Sequence, residues 1–478
     1  MKLIRCLFPV LTFGAATAAP ATRPNIVYIL ADDLGYTDIA VNGSKYYETP
    51  NIDRLAAQGM RFTNYHNCQN CAPTRAALMS GQYGARTGTY TVGGIDRFDW
   101  STRPLRPVDN VTQLPLDRVI LPQTIKAAGY ATAMFGKWHI GQQGDYMPGR
   151  RGFDEAIVSN GRHFDFETAP KTAYPQGQYL ADFLTDRAVD FIKRKQDGPF
   201  FLYLPHFGVH SPYQAKADLI AKFKAKPGVG GHSNPVYAAM IASVDESVGR
   251  IMALLDELKL ADNTVLIFSS DNGGVGGYVR EGVKKDGSDV TDNAPLRSGK
   301  GSLYEGGTRV PLIVRWPGRI APGSTNDTPT IHVDVYPTCA ALAGAKLPAQ
   351  QVFDGENLAP LMLGSAAKLA RPAIYQHFPG YLGAGTDQWR TTPVTTIMAG
   401  DWKLMEFLED GRLELYNLRE DIGEKNNLAT TNAAKAKELH AQLVAWRSGI
   451  NAPMPTKNDA AKSEAKKKGG KKKRAEKQ

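Results

Sequence analysis

The chain has 478 residues, of which 42% are hydrophobic, 9% aromatic and 22% charged, a composition that excludes a wholly disordered protein. A chain of this length is longer than one hydrophobic core usually serves, so we expect a large domain and a smaller one. The formal charge of +10 is concentrated in a Lys-rich tail, residues 457–478. Because the remainder is close to neutral, the sequence predicts no nucleic-acid partner.

The N-terminus has the pattern of an export signal. Lys2 and Arg5 precede a short apolar stretch, and small residues follow at positions 15–19, which predicts a signal peptide over residues 1–19 and a periplasmic or secreted protein. No segment reaches about 20 uninterrupted apolar residues, so we expect no membrane span. The tail, residues 457–478, is predicted to be disordered, with adhesion to anionic polysaccharide or the cell envelope as the alternative.

Strand-like and helix-like segments alternate along residues 20–371, which we assign to the large domain. In chain order they are strand 25–30, helix 49–59, helix 121–128, strand 130–135, helix 180–195, strand 200–204, helix 235–258 and strand 264–268. This alternation indicates right-handed βαβ crossovers. The sequence therefore predicts an α/β fold with a mainly parallel central sheet flanked by helices.

Residues 372–456 follow a different pattern and are predicted to form a smaller C-terminal subdomain. Strand-like segments at 395–398, 402–408 and 412–417 follow each other through short connections, and an amphipathic helix is predicted at 431–447. Asp410-Gly411 is a hairpin signal. Consecutive hairpins favour an antiparallel sheet, so we expect an antiparallel α+β subdomain.

Polar side chains follow four predicted strands of the large domain, where the loops of an α/β sheet line a ligand crevice. They are Asp32, Asp33, Lys137, His139, His206, His210, Asp271 and Asn272. Carboxylate and amide oxygens suit a hard cation such as Ca²⁺ or Mg²⁺. Taken alone, the Asp32-Asp33 pair is equally well explained by a helix cap or a solvated turn; its recurrence with Asp271-Asn272 at another strand end favours the metal.

Cations and a cysteine complete the candidate site. Arg75, Lys137 and Lys300, with the two histidines, provide the charge that an oxyanion needs, which points to sulfate or phosphate esters. Cys71 directly precedes a predicted helix whose N–H groups would face an anion. Cys68 and Cys71 form a lone C-x-x-C motif, and no second cysteine pair completes a zinc site.

These residues resemble the type I, formylglycine-dependent sulfatase family, which is arylsulfatase-like and belongs to the alkaline phosphatase superfamily. The family signature Cys-x-Pro-x-Arg is present as Cys71 to Arg75. Further motifs match at residues 31–35, 49–53, 136–141, 210–212, 270–274 and 300–311, and an ordered series of this kind is far more specific than one short motif. The resemblance implies hydrolysis of sulfate esters and an alkaline-phosphatase-like sandwich.

The same resemblance implies roles for individual residues. A separate formylglycine-generating maturation enzyme oxidises Cys71, and one hydroxyl of the aldehyde hydrate attacks sulfur while the other later drives sulfate release. Ca²⁺ is implied on Asp32, Asp33, Asp271, Asn272 and residue 71. The implied sulfate-binding cations are Arg75, Lys137 and Lys300; His139 removes the hydroxyl proton and His210 protonates the leaving oxygen.

The substrate is predicted to be a sulfated sugar or polysaccharide. Aromatic clusters at 375–381, which includes His377, and at Trp389-Arg390 are candidate sugar subsites, since aromatic faces stack on sugars; the alternative is that both belong to the core of the small domain. Two other functions are also consistent with the sequence. One is a phosphonate or phosphodiester hydrolase of the same superfamily, and the other is an inactive carbohydrate-binding relative.

Overall fold

The computed structural model describes residues 23–283, 289–385 and 388–459, so the predicted signal peptide and all but the first three residues of the tail lie outside it. The strands are β1 (Asn25–Ala31), β2 (Met60–Phe62), β3 (Tyr65–His66), β4 (Leu105–Arg106), β5 (Ala131–Gly136), β6 (Glu155–Val158), β7 (Phe200–Pro205), β8 (Thr264–Ser270), β9 (Leu312–Arg315), β10 (Ser324–Asn326), β11 (Thr330–Ile331), β12 (Ile374–Phe378), β13 (Leu382–Gly385), β14 (Gln388–Thr391), β15 (Val394–Ala399), β16 (Trp402–Phe407), β17 (Leu413–Asn417) and β18 (Thr456–Lys457). The helices are α1 (Pro50–Ala57), α2 (Cys71–Ser80), α3 (Gly84–Thr87), α4 (Leu121–Ala127), α5 (Leu180–Lys195), α6 (Ala217–Lys224), α7 (Pro235–Glu257), α8 (Glu305–Thr308), α9 (Val335–Leu342), α10 (Ala359–Met362) and α11 (Ala433–Gly449). Over this part of the chain, no helix is both long and apolar enough to cross a membrane.

An eight-stranded sheet forms the centre of the large domain, in the order β10-β2-β9-β8-β1-β7-β5-β6. Its neighbours pair in parallel except at β9, which is antiparallel to both β8 and β2. The predicted mainly parallel sheet is therefore confirmed.

Strand β1 shows why this sheet lies at the centre of the domain. All seven of its residues are buried, because alternate side chains enter the two layers that cover the sheet. Val27 and Ile29 pack with residues of α1, α5 and α7. Ile26 and Tyr28 pack on the opposite face with residues of α2, α4 and α9. Because both faces of the strand are buried, its sequence does not alternate between apolar and polar residues. It is instead a continuous apolar run, as predicted for residues 25–30.

The antiparallel strand β9 was not predicted. It has four residues and is followed closely by Pro317, with Pro311 directly before it. A run this short between prolines carries no clear period. Its place is decided by pairing with β8 and β2, which are distant in sequence.

The C-terminal subdomain is a four-stranded antiparallel sheet in the order β12-β15-β16-β17, as predicted. One face packs on α11 through Ile397, Leu404 and Leu443. The other face packs against the large domain, where Met405 and Tyr416 share a core with Leu303. The separate β13-β14 hairpin reaches the large domain at Gly301, where an added Cβ would lie 2.6 Å from Leu382.

Candidate active site

The ends of three neighbouring parallel strands bring the predicted site residues together. Strand β1 lies between β7 and β8, with Ala31 opposite Ser270 and Leu30 opposite Pro205. Asp32 and Asp33 therefore leave the sheet beside Asp271, whose N–H donates to the Ala31 carbonyl at 3.0 Å.

Cys71 is the first residue of α2, and its side chain lies against the acids of β1. Its Sγ is 3.5 Å from Asp32 Oδ1 and 4.0 Å from Asp33 Oδ1. All ten residues of α2 are buried, and burial raises the pKa of the Cys71 thiol to about 12. At neutral pH this thiol is therefore protonated and a weak nucleophile.

The acidic side chains form one hydrogen-bonded group. The Asp33 N–H donates to Asp271 Oδ1 at 3.1 Å, and Asn272 Nδ2 donates to Asp33 Oδ1 at 2.9 Å. One ligand atom from each of Asp32, Asp33, Cys71 and His210 lies within 4.8 Å of the others. Burial, followed by the charge of Asp32, raises the pKa of Asp271 to about 6.

The donor set fits a hard divalent cation. Its members are carboxylate and amide oxygens, the ligands of Ca²⁺ and Mg²⁺. Asn272 Oδ1 is buried and accepts no hydrogen bond from the part of the chain that the structure describes. A buried acceptor without a partner is costly, and a cation bound beside Asp33 would satisfy it.

The three predicted cations surround the acids, but only Lys300 lines the cleft that opens at Cys71. Its Nζ lies 2.7 Å and 2.8 Å from the two Asp33 oxygens. Lys137 Nζ lies 2.5 Å from Asp32 Oδ2. Although burial alone would raise the Asp32 pKa, Lys137 and other cations hold that pKa well below its usual range.

Arg75 is fully buried behind the acids. Its Nε and Nη2 donate to Asp271 Oδ2 at 3.0 Å and 2.7 Å, and its Nη1 donates to the Lys137 carbonyl at 2.7 Å. These contacts fix Asp271 and residue 137 relative to α2. Arg75 therefore contributes positive charge and holds Asp271 in place from beneath the cleft, which it does not itself line.

Two histidines line the cleft, and the structure separates them from His206. Burial and the charges of Lys137 and Arg75 lower the pKa of His139 to about 2, so its ring is neutral. His210 Nδ1 lies 2.6 Å from the Ser211 carbonyl, which makes Nδ1 the donor and leaves Nε2 for a ligand. His206 is buried, with Nε2 2.9 Å from Ser247 Oγ, and does not line the cleft.

The cleft at Cys71 has a volume of about 330 Å³ and adjoins a second cavity of about 780 Å³. Of the predicted sugar-binding residues, Arg390 lines the cleft. Trp389 packs instead against Tyr381, with ring centroids 5.2 Å apart. His377 is placed elsewhere: its Nδ1 contacts Thr395 Oγ1 and its Nε2 contacts the Pro453 carbonyl, both at 2.8 Å.

Several lining residues were not predicted, among them Asn70, Arg97, Phe98 and Leu382. Arg97 and Phe98 lie between α3 and β4, where Arg97 ends a short 3-10 helix (Ile95–Arg97). No sequence signal identifies them, because their position depends on packing against the β13-β14 hairpin, where Phe98 contacts Trp389.

Comparison with known proteins agrees with this geometry. The sequence profile of the sulfatase family matches residues 24–345, more than half of the chain. The chain belongs to the sulfatase family. A second profile, described as N-sulphoglucosamine sulphohydrolase, C-terminal, matches residues 299–448 of this sulfatase.

Individual relatives extend over most of the sulfatase. It is 36% identical to a sulfatase of Formosa agariphila over 90% of each chain. It is 34% identical to human N-acetylgalactosamine-6-sulfatase, over 76% of this chain and 70% of that relative. The crystal structure of Ps i-CgsB in complex with k-i-k-neocarrahexaose has 30% identity and a TM-score of 0.74, and the match covers 89% of this chain and 93% of that one. The fold is therefore alkaline-phosphatase-like, and the chain is a sulfuric ester hydrolase.

Proposed function

We propose that this sulfatase removes sulfate from carbohydrates, with residue 71 as formylglycine and Ca²⁺ as its metal ion. The observation that carries the proposal is the position of Cys71. It begins a buried helix within 4.0 Å of Asp32 and Asp33, at a cleft that Lys300, His139 and His210 also line. The printed names of the relatives, which include a galactosamine sulfatase and a carrahexaose complex, support a sugar substrate.

The raised pKa of the Cys71 thiol supports the proposal that residue 71 acts in a modified form. A cysteine whose pKa is raised to about 12 has almost no thiolate at neutral pH, so the unmodified residue is a poor nucleophile. Formylglycine supplies a hydrate with two hydroxyls on one carbon, one for attack and one for sulfate release. A separate maturation enzyme would make this change.

Asp32, Asp33, Asp271, Asn272 and the modified residue 71 would hold Ca²⁺. When bound, the ion supplies positive charge beside residue 71 and the transferred sulfate group. Arg75 keeps Asp271 in place through two hydrogen bonds to one oxygen. Lys300 binds sulfate oxygens from the cleft wall, and Lys137 adds its charge from behind Asp32.

The two histidines divide the proton transfers between them. His139 lines the cleft beside residue 71 and its ring is neutral, so the ring has a free position for the proton of the attacking hydroxyl. His210 holds its ring through an Nδ1 contact with the Ser211 carbonyl and lines the cleft, and in its imidazolium form it would donate the Nε2 proton to the leaving sugar oxygen. Such protonation matters because an alkoxide is a poor leaving group.

The test begins with protein produced together with a formylglycine-generating enzyme. Mass spectrometry of the peptide that contains residue 71 should show conversion of the thiol to the aldehyde, and metal analysis should show bound Ca²⁺. The kcat/KM for sulfated sugars should exceed that for matched phosphonate monoesters and phosphodiesters.

Two cysteine variants provide the decisive pair. Cys71→Ala should abolish hydrolysis while sugar binding persists. Cys339→Ala, at another buried cysteine, should retain hydrolysis. Full activity in Cys71→Ala would refute the nucleophile. Sugar binding without turnover by the modified wild type would instead indicate a binding protein, and a preference for phosphonates would indicate a phosphonate hydrolase.

A further inference from the structure

Two arginines line the cleft beyond the residues that act on the sulfate ester. Arg97 and Arg390 both face the cavity at Cys71. Arg390 lies on the β13-β14 hairpin, and its guanidinium carbon is 4.9 Å from the ring centre of Tyr278. Arg97 lies in the segment between α3 and β4, and its Nη1 donates to the Val92 carbonyl at 3.1 Å.

Neither arginine has a carboxylate partner among the residues the structure describes. Arg390 Nη1 contacts the Lys300 carbonyl at 3.4 Å, and its Nε is buried without a hydrogen-bond partner. Arg103, which packs on the same hairpin region, is by contrast paired with Glu409 through two contacts of 3.1 Å and 2.6 Å. In the part of the chain that the structure describes, the two cleft arginines thus keep guanidinium groups without an acidic partner, whereas nearby Arg103 has one.

The two guanidinium groups also act on each other. Partial burial, followed by the charge of Arg390, lowers the pKa of Arg97. Like charges held together in a cleft are unfavourable unless an anion lies between or beside them. Arg390 packs closely on Gly301, where an added Cβ would lie 2.9 Å from Arg390 Cδ.

The adjoining cavity has the opposite character. It shares Val92 and His139 with the cleft, and its polar lining includes Gln142 and Asp145. Among the residues that the structure describes, no lysine or arginine lines it. The positive charge of Arg97, Lys300 and Arg390 thus lies around the cleft, whereas the larger cavity suits uncharged sugar hydroxyls.

We propose that Arg97 and Arg390 form a second anion subsite, which binds a sulfate or a uronate carboxylate on the same sugar or on its neighbour. A guanidinium binds either group through paired N–H donors. This subsite rests on the proposed carbohydrate sulfatase function and narrows the substrate to sugars with two anionic groups. The larger cavity accommodates the rest of the oligosaccharide.

The test compares substrates that differ only in the second anion. They are a monosulfated neutral disaccharide, its disulfated counterpart, and a monosulfated disaccharide with a uronate. Arg97→Gln and Arg390→Gln should each lower kcat/KM about ten- to hundredfold for a dianionic substrate, mainly through KM. The loss for the neutral disaccharide should be at least tenfold smaller.

Arg54→Gln removes the same charge from an exposed position on α1 and should leave all three substrates unaffected. A loss confined to the disulfated sugar identifies sulfate as the second anion, one confined to the uronate sugar identifies a carboxylate, and a loss on both indicates a general anion site. Equal losses on all three substrates would overturn the subsite while leaving the sulfatase function intact.

Binding provides a readout that does not need turnover. Calorimetry of the disulfated disaccharide with Cys71→Ala protein should give an affinity at least about tenfold higher than with Cys71→Ala/Arg97→Gln protein. If the wild type hydrolyses no sulfated sugar, the proposed function fails, and the two calorimetric affinities alone test the anion subsite. In that case, equal affinities for the two proteins would refute the subsite.

Discussion

Two clusters of buried charge lie at opposite ends of the segment from Lys300 to Glu305, and they differ in how their charges are satisfied. The catalytic cluster consists of Asp32, Asp33, Asp271, Arg75, Lys137 and Lys300. The interdomain cluster consists of Glu305, Glu424, Lys403, Arg309 and His66. The first opens to a cleft at Cys71, whereas no member of the second lines that cleft.

In the interdomain cluster, both carboxylates lie within 3.0 Å of a cationic side chain of the protein. Lys403 Nζ lies 2.8 Å from Glu305 Oε1 and 2.9 Å from Glu424 Oε1, and Arg309 and His66 contact the other Glu305 oxygen at 2.6 Å and 3.0 Å. Because Lys403 and Glu424 belong to the subdomain, these pairs join it to the large domain. Removal of one partner would leave a buried charge uncompensated.

The catalytic cluster keeps groups that the protein itself does not satisfy. Asn272 Oδ1 has no partner in the described chain, and the pKa of Asp271 is raised to about 6 by burial and by Asp32. Similar residues thus give two arrangements: in one, the carboxylates contact cations across an interface away from the cleft, and in the other, carboxyl and amide oxygens lie at the base of an open cleft. The same chemical change should therefore have different consequences in the two clusters.

Asp271→Asn should produce the largest effect on activity. The substitution removes a proposed Ca²⁺ ligand and the partner of Arg75, so kcat/KM should fall about 10⁴-fold and bound Ca²⁺ should be lost. Stability should change little or rise, because the repulsion between Asp271 and Asp32 disappears. Activity and metal analysis, with thermal unfolding alongside, measure both effects. Activity within tenfold of the wild type would show that Asp271 is not part of the catalytic site.

Glu305→Gln makes the matching change in the interdomain cluster. It leaves Lys403 and Arg309 with one carboxylate fewer, so the free energy of unfolding should fall by about 3 to 5 kcal/mol. The folded fraction should retain Ca²⁺ and its kcat, since no contact with the cleft is lost. Urea unfolding and kinetics below the transition test this. Loss of kcat without loss of stability would mean that the cluster acts in catalysis.

His210→Asn should have a smaller effect that depends on the leaving group. For sugar sulfates, loss of the proton donor should lower kcat about 10²- to 10³-fold. For 4-nitrophenyl sulfate, whose leaving group needs little protonation, the loss should be below about tenfold. His206→Asn is the control at the same strand end: it should lower stability through the lost Ser247 contact but show no leaving-group dependence. Equal losses of the His210 variant on both substrates would exclude the proton-donor role.

The sequence predicted the catalytic cluster better than the interdomain cluster, for a physical reason. Asp32 and Asp271 directly follow buried strands, and in a parallel sheet such strand ends meet at one edge, so a local pattern specifies the site. Lys403 and Glu305 lie about a hundred residues apart in unrelated elements. No period links them, and only tertiary packing brings them together.

The same reason explains His377 and Arg97. His377 was predicted to bind sugar from a cluster of aromatic residues, but its ring nitrogens contact Thr395 and Pro453 of the subdomain, and neither contact is visible in the local sequence. Arg97 had no local signal and lines the cleft. The conformation of a loop depends on the residues that pack against it, whereas the position of a residue at a strand end is set by the strand itself.

Glu424→Gln should give the smallest effect, and it depends on pH. Burial, with Lys403 opposing it, raises the pKa of Glu424 from its ordinary 4.5 to about 7, so the folded state holds a proton that the unfolded state has released between these values. The stability contributed by Glu424 is therefore complete below about pH 4.5 and is lost as the pH rises to about 7.

The glutamine variant does not titrate at this position, so its stability should lack that decline. At pH 8 the variant should exceed the wild type by at least about 1.4 kcal/mol, the equivalent of one pKa unit, while at pH 4.5 the two should be similar. Glutamine can still accept the Glu305 N–H, which now bonds Glu424 Oε2 at 2.7 Å. Glu420→Gln, at an exposed position, controls for the change in net charge. If Glu424→Gln destabilises the protein equally at both pH values, Glu424 is ionised in the folded state and the interdomain cluster depends on two full carboxylate charges.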